Sequence, residues 1–420
     1  MAIVTPAAAS ASPRAVDTLV IGAGAAGLAL GARLAERGHP GHVLIVDARH
    51  DYRDDRTWSF WAPRTHPLRH LVSHEWAAWR YDDGSSPAVH TAPGITYQTI
   101  RGIDYYRDAR ARIDRSSAVS LQLGVTVTGI APATPADGVA AGRIRVHTSA
   151  GVVTTRHVVD TRPTSTRATM FQCFVGAEVE HGGALHAGSG ALTPETAGLM
   201  TRMRADDAGF AFTYVLPLTP TTALVELTRF SATPLPLDQI GRERDAELTA
   251  LGLDGSRVLR EEAGVLPMGA DPAAPLPVPG VVRAGNGGGA LRAATGYAFT
   301  RIQAWADDCA ERMLAGGAPV GHPPEPWVRR EMDRIFLQTL RAHPERAPEF
   351  FLALAHRVSP ERLVRFLTDR ATASDLVAII LALPLGAFLA QLPDRTARLE
   401  RAMLSPGSAP LAARVTEWAA

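Results

Sequence analysis

The clearest chemical signal in the chain is Gly22-Ala23-Gly24-Ala25-Ala26-Gly27, a GxGxxG spacing, with the carboxylate of Asp47 about twenty residues further on. Glycines at these positions allow a tight turn and bring backbone N–H groups up to a pyrophosphate seated on the N-terminus of the next helix. An acid placed like Asp47 accepts from a ribose hydroxyl. That chemistry needs elements in a fixed order. Thr18-Leu19-Val20-Ile21 reads as a buried strand, Leu28 to Arg37 as an apolar helix stopped by Gly38, and His42 to Val46 as the next strand. The βαβ opening implies a parallel sheet with a dinucleotide site at its carboxyl edge. A glycine turn in an unrelated α/β protein is the competing reading, and the complete order of strand, turn, helix, strand and acid weighs against it.

A second cluster, Gly285-Asn286-Gly287-Gly288-Gly289, follows the apolar Val281 and Val282 and precedes a helix predicted from Thr295. It offers another backbone nest for a phosphate or a flavin. Two such segments, one near the start of the chain and one about two-thirds along it, favour FAD over NAD. The layout resembles flavoproteins of the aromatic hydroxylase type, which carry Gly-Asp where this chain has Gly285-Asn286, and Asn still bonds a ribityl chain. An ordinary glycine loop is the alternative. The candidate cofactor-binding set is Gly22, Ala23, Gly24, Ala26, Gly27, Asp47, Asn286, Gly288, Gly289, Thr295 and Gly296.

Composition narrows the remaining classes. With 420 residues, 46% hydrophobic and 20% charged, the chain is large enough for one composite domain or two domains with a cap. A formal net charge of +1 gives no electrostatic case for nucleic acid. No Lys occurs, so all 43 basic side chains are Arg, which excludes a Schiff-base lysine and a P-loop lysine. Cys173 and Cys309 stand alone without CxxC, which fits a reducing compartment, the cytoplasm by default. His157 and the other histidines lack HxxxH or HExxH spacing, so no metal is expected. Met1 to Ser12 reads as a disordered leader, and Leu376 to Leu392, interrupted by Pro384 and Gly386, is shorter than the ~20 residues a membrane span needs.

The elements that position these groups suggest a hydroxylase-like α/β fold: a Rossmann-type FAD-binding domain, an antiparallel-sheet substrate domain and a helical C-terminal part. Expected boundaries are a leader over 1–16, FAD-binding segments over 17–165 and 276–315, the sheet domain over 166–275 and the helical part over 316–420. Ile144, Val146 and Thr148 alternate before a turn and a return strand from Val152 to Val159, which predicts a hairpin. Phe210 to Leu216 and Ala223 to Thr228 form a second pair across Pro217 to Thr222, the start of an antiparallel sheet over a pocket.

Several segments resemble the bacterial lycopene β-cyclase family, in that family's order and over roughly Asp17 to Leu392. They include Asp55 to Trp61 (DRTWSFW), Val159 to Pro163 (VDTRP), Phe171 to Glu180 (FQCFVGAEVE), Phe212 to Phe230, Gly264 to Met268 (GVLPM) and Ala294 to Phe299 (ATGYAF). The resemblance implies a polyene cyclase that uses FAD in its reduced form, with NAD(P)H as reductant and no net redox change. A carboxylic acid protonates the terminal double bond, the cation attacks an internal one, and proton loss leaves a β-ring. The family's acid lies in a motif of two acids followed by Thr after an apolar strand. Glu226 matches the first acid and is the candidate catalytic residue, whereas Leu227 replaces the second. Side chains alternate along a strand, so Leu224, Glu226 and Thr228 share one face and Val225 and Leu227 the other. The departure leaves open another polyprenyl substrate, such as a prenylated aromatic. A flavin monooxygenase or a prenyl reductase on a similar fold is the competing class.

Weaker signals remain. Trp58, Phe60 and Trp61 read as core aromatics, with the lining of a polyene tunnel as the alternative, and Tyr105, Tyr106 and Tyr297 share that ambiguity. Asp206 and Asp207 read as paired surface acids, or as partners of the site. Asp375 to Leu392 reads as a helical pair split at Pro384 and capped by Ser374 or Asp375, either buried or forming a surface that dips into a membrane to admit an apolar substrate.

Overall fold

The computed structural model describes residues 14–134, 142–164, 167–182, 186–187, 190–191 and 193–391. Met1 to Ser12, and the part of the C-terminal segment beyond 391, lie outside the described residues.

Five parallel strands form the nucleotide-binding sheet, in the order Val281–Arg283, His157–Asp160, Thr18–Ile21, Val43–Asp47 and Val119–Leu123. Leu19, Val20, Ile45, Val158 and Val159 are all fully buried, as a parallel sheet covered on both faces requires. The helix Ala25–Glu36 lies on one face, in a cluster with residues of Gly102–Ile113 and Phe299–Leu314. Burying each of its leucines, Leu28, Leu30 and Leu34, contributes roughly 1.5–3 kcal/mol before the entropy of ordering is counted. Gly31 sets the closeness of the packing, since a Cβ there would lie 2.3 Å from Ile45 Cδ1.

The hairpin expected after Ile144 forms between Ile144–Thr148 and Gly151–Thr155, but its return strand ends there. His157–Asp160 crosses into the parallel sheet, where Val158 and Val159 find apolar neighbours on both faces. Arg14–Ala15, assigned by sequence to the leader, pairs in parallel with Val153 and Thr154, so ordered chain begins earlier than residue 17.

The large sheet has seven strands, in the order Arg257–Met268, Met170–Glu180, Thr222–Ser231, Gly209–Thr219, Thr196–Asp206, Ala78–Tyr81 and Ala88–His90. Its first five strands are antiparallel neighbours. The last two come from the segment read as wholly nucleotide-binding, and Ala78–Tyr81 joins Thr196–Asp206 in parallel. These strands are short and rich in Trp, Arg and His, with Trp79, Arg80, Tyr81 and His90 all buried, so no polar alternation marks them.

Five α-helices, Trp327–Ala342, Ala347–Arg357, Pro360–Leu367, Ala373–Ala382 and Leu385–Leu389, cover one face of this sheet around Phe210, Phe212, Phe230 and Phe350. Arg292 and Asp333, 1% and 2% exposed, form an ion pair at 3.3 Å that ties the return segment to these helices, with the guanidinium also 4.3 Å above the Phe366 ring. The helix cap near 375 is Thr372, neither Ser374 nor Asp375. Asp375 is the third residue of the helix, and its Oδ2 accepts from the Thr372 N–H in a capping box. The helix expected from Thr295 begins only at Phe299, because Gly296 takes a left-handed φ of 68° that breaks the helical path. Among the described residues no helix is long and apolar enough to cross a membrane.

Candidate active site

A cavity of about 760 Å³ runs from the glycine turn after Ile21 to Glu226 on the large sheet. At its nucleotide end Gly22 has φ 99°, and a Cβ on Gly27 would lie 1.9 Å from the Gly22 carbonyl oxygen, so both glycines are required by the turn itself. Gly24 differs: a Cβ there meets nothing within 4 Å and would project into the cavity. Asp47 is held in place by the Ala23 N–H, which donates to Oδ2 at 2.6 Å, and by the Arg49 N–H at 2.9 Å.

Of the candidate cofactor-binding residues, Gly22, Gly24, Ala26, Asp47, Asn286, Thr295 and Gly296 line this cavity. Ala23 orients Asp47 and Gly27 packs the turn. Gly288 and Gly289 do not line it. A Cβ on Gly288 would sit 2.6 Å from the Arg283 carbonyl carbon, and Gly289, at φ 100°, faces Pro272, so both shape the loop. The Gly285 N–H donates to His322 Nε2 at 3.0 Å, and burial pushes that imidazole down to about 4. An elongated cavity with an open backbone cradle at Gly24, an acid at Asp47 and a second turn at Gly285 and Asn286 fits a dinucleotide such as FAD.

At the far end Glu226 and Leu224 face the cavity while Val225 and Leu227 point away, as strand alternation predicts. Leu227 packs with Ile240 beneath the helix Leu237–Ala250, so the replaced second acid falls on the opposite face from the site. Burial, together with the carboxylate of Glu262, raises Glu226 well above the ordinary carboxylic range, and Glu226 donates a hydrogen bond to Glu262. The Thr228 hydroxyl donates to Glu226 Oε1 at 3.2 Å.

Glu262 was not singled out from sequence, nor were its partners. The Arg260 guanidinium donates to its Oε2 at 2.6 Å and the Thr57 hydroxyl to the same atom at 2.8 Å. Arg260 also reaches Glu178 at 3.2 Å. The available signal was the acid two residues before Gly264, on the same strand as the GVLPM segment.

Aromatic side chains line the cavity around the acid. Trp61, Tyr97, Tyr214 and Tyr297 all border it, with Trp61 and Tyr97 centroids 4.8 Å apart and the Tyr214 hydroxyl bonded to Tyr297. Trp58, Phe60 and Trp61 are thus both packed and cavity-lining. Tyr105 and Tyr106 are not in the lining, and their hydroxyls bond Ala25 O and Asp55. Asp206 is held by Arg229 at 2.6 Å and Asp207 is exposed, both away from the cavity. Among the described residues no group of three or more His, Cys, Asp or Glu is arranged to hold a metal.

Trp61, Gln172, Tyr214, Thr295, Tyr297 and Leu367 also border a second, almost wholly apolar cavity of about 290 Å³ between the sheet and the C-terminal helices. Its far wall includes Ile380, Leu385 and Leu389, which are exposed to solvent on their other side.

A family model described as lycopene cyclase protein matches residues 17–392. The lycopene beta-cyclase of Pseudescherichia vulneris is 25% identical over 410 residues, covering 90% of this chain and 98% of that protein. Among solved structures, a geranylgeranyl bacteriochlorophyll reductase-like protein from Thermoplasma acidophilum aligns with a TM-score of 0.54 at 14% identity, over 92% of this chain and 99% of the other. The p-nitrophenol 4-monooxygenase of Pseudomonas putida aligns with a TM-score of 0.51 at 13% identity, over 89% and 98%. At such identities these structures establish a shared hydroxylase-like flavoprotein fold and nothing further.

Proposed function

Since the chain belongs to the lycopene cyclase family, we propose that it closes a β-ring on the end of lycopene or a closely similar polyene, as an FAD-dependent isomerase with no net redox change. The observation that carries this reading is Glu226, a carboxylic acid whose hold on its proton is strengthened by burial and by Glu262, at the aromatic-lined end of the larger cavity. Protonating an unactivated double bond needs a donor still loaded near neutral pH and a site from which water is excluded.

In this reading the second cavity holds the polyene, and its end reaches Glu226 past Trp61 and Tyr297. Glu226 gives its proton to the terminal double bond, the resulting cation is attacked by an internal double bond, and loss of a ring proton completes the β-ring. Faces of Tyr97 and Tyr214 near the acid favour positive charge over neutral carbon. Gly22, Gly24, Asp47, Asn286, Thr295 and Gly296 would hold FAD, which when reduced by NAD(P)H supplies negative charge that stabilises a cation. The exposed apolar side chains Val377, Ile380, Leu381, Leu385 and Leu389 around the second cavity suit peripheral contact with the lipid in which such a substrate dissolves.

Incubating the purified protein with lycopene, FAD and NAD(P)H, anaerobically and in a parallel arm under isotopically labelled oxygen, tests the reading. The expected product has the mass of its substrate and forms without matching NAD(P)H consumption. Oxygen incorporation, or one NAD(P)H oxidised per product, would move the protein to the monooxygenase or reductase class.

A further inference from the structure

Glu226 and Glu262 do not lie on neighbouring strands. Both pair with the same residue, Gly176, on the strand between them. Two strand spacings would hold their backbones roughly 9–10 Å apart. Their side chains nevertheless meet, because the intervening residue has no side chain. A Cβ on Gly176 would lie 3.1 Å from Glu226 Cβ, 3.2 Å from Glu262 Cγ and 3.3 Å from Glu226 Cγ. A glycine inside a strand marks such a close approach.

The two carboxyls have unequal partners. Glu262 is ion-paired to Arg260 and takes the Thr57 hydroxyl, while Glu226 hydrogen-bonds Thr228 and Glu262 and feels the Arg260 charge without pairing directly with it. Other titratable groups facing the pair are Tyr214 from the adjoining strand, Tyr97 from the strand Ile95–Arg101, which pairs with Thr57–Pro63, and Arg56 beside Thr57. Two like charges at this separation do not both ionise readily, so the resting pair carries one proton.

Resting on the reading that Glu226 protonates the polyene, we propose that Glu226 and Glu262 form one catalytic dyad: Glu226 delivers its proton and Glu262 removes the ring proton that ends the reaction. In the first step the Glu226 O–H bond breaks and a C–H bond forms at the terminal double bond. The internal double bond supplies its electron pair to the new ring C–C bond. In the last step a ring C–H bond breaks, its pair becomes the ring double bond, and an O–H bond forms on Glu262. The dyad ends with one proton, as it began, and the proton returns to Glu226 through their shared hydrogen bond. No oxidant or reductant is consumed.

The test uses enzyme loaded with FAD and kept reduced by NAD(P)H, with lycopene in liposomes. The wild-type kcat/KM should fall at alkaline pH as the Glu226 proton is lost. Glu262→Gln should lower the rate by about 10²-fold, move the alkaline limb to lower pH and shift the residual product to ring isomers other than β. Glu262→Asp should recover part of the rate and the β-ring product. Gly176→Ala, which keeps both carboxyls but drives a methyl between them, should also lower the alkaline limb. Without substrate, the infrared carbonyl band of a protonated carboxyl should vanish in Glu226→Gln and shift in Gly176→Ala. Wild-type rate, β-ring product and an unmoved alkaline limb in Glu262→Gln, or an unmoved band and limb in Gly176→Ala, would overturn the dyad while leaving Glu226 as the donor. Full activity in Glu226→Gln would instead remove the reading on which the dyad rests.

Discussion

Tyr214 stands directly across the antiparallel strand pair from Glu226, with its hydroxyl bonded to Tyr297. Residues opposite one another on a sheet face hold their Cβ atoms about 5 Å apart, so the phenol ring borders the cavity beside the acid. A cation facing an aromatic ring gains roughly 0.5–2 kcal/mol. Tyr214→Leu should therefore lower kcat by about 2- to 30-fold, and Tyr214→Phe should keep most of the rate. Steady-state rates on lycopene decide it, and equal losses in both variants would assign the effect to the hydroxyl.

Replacing Glu226 by Gln keeps size and hydrogen bonding but removes the acidic proton. Turnover should fall by at least ~10²-fold while flavin absorbance is retained. In deuterated water the wild type should place one solvent deuteron on each new ring, read by product mass spectrometry.

Gly24 tests the nucleotide end separately from folding. Because a Cβ there meets no protein atom within 4 Å, Gly24→Val should fold with near wild-type thermal stability and yet lose FAD. Full flavin occupancy measured by absorbance would contradict the site. Gly27→Val is the contrasting case: its side chain would strike the Gly22 carbonyl, so stability should fall with flavin binding.

His322 gives a pH signature. Its Nε2 accepts the Gly285 N–H, which only the neutral ring can do, and burial followed by the nearby Arg301 charge brings it to about 4. An unfolded histidine titrates near 6.5. Between these values the unfolded chain binds a proton that the folded chain refuses. The stabilisation is complete above about pH 6.5 and is lost as the pH falls toward 4, on the order of 3 kcal/mol in all. Melting temperature against pH should therefore fall less steeply over this window in His322→Asn than in wild type, and parallel curves would contradict the assignment.

Local chemistry was legible in the sequence. The turn from Gly22 to Gly27 and the acid at Asp47 follow from spacing within one βαβ unit, and strand alternation puts Glu226 and Leu227 on opposite faces, of which the fold turns the Glu226 face to the cavity. What escaped was non-local. Glu262 meets Glu226 only through a register in which both oppose Gly176, and no pattern within either segment encodes that pairing. Gly288 and Gly289 escaped for the converse reason: glycine types match a phosphate cradle and a tight loop equally, and only the positions of Arg283 and Pro272 distinguish them. Ala78–Tyr81 and Ala88–His90 were hidden because buried Arg80 and His90 erase the alternation by which strands are recognised.

The parallel pairing of Ala78–Tyr81 with Thr196–Asp206 interleaves the two halves of the molecule. No single cut in the chain releases the nucleotide-binding part intact, because 78–90 belongs to the acid-bearing sheet while 281–314 belongs with the nucleotide fold. During synthesis the strand at 78–81 can pair at once with 88–90, but its other edge must wait for a partner encoded over a hundred residues later. A chimera that moves this acid-bearing sheet onto a hydroxylase framework must carry 78–90 together with 170–268, and transplants of 170–268 alone would expose that edge and aggregate.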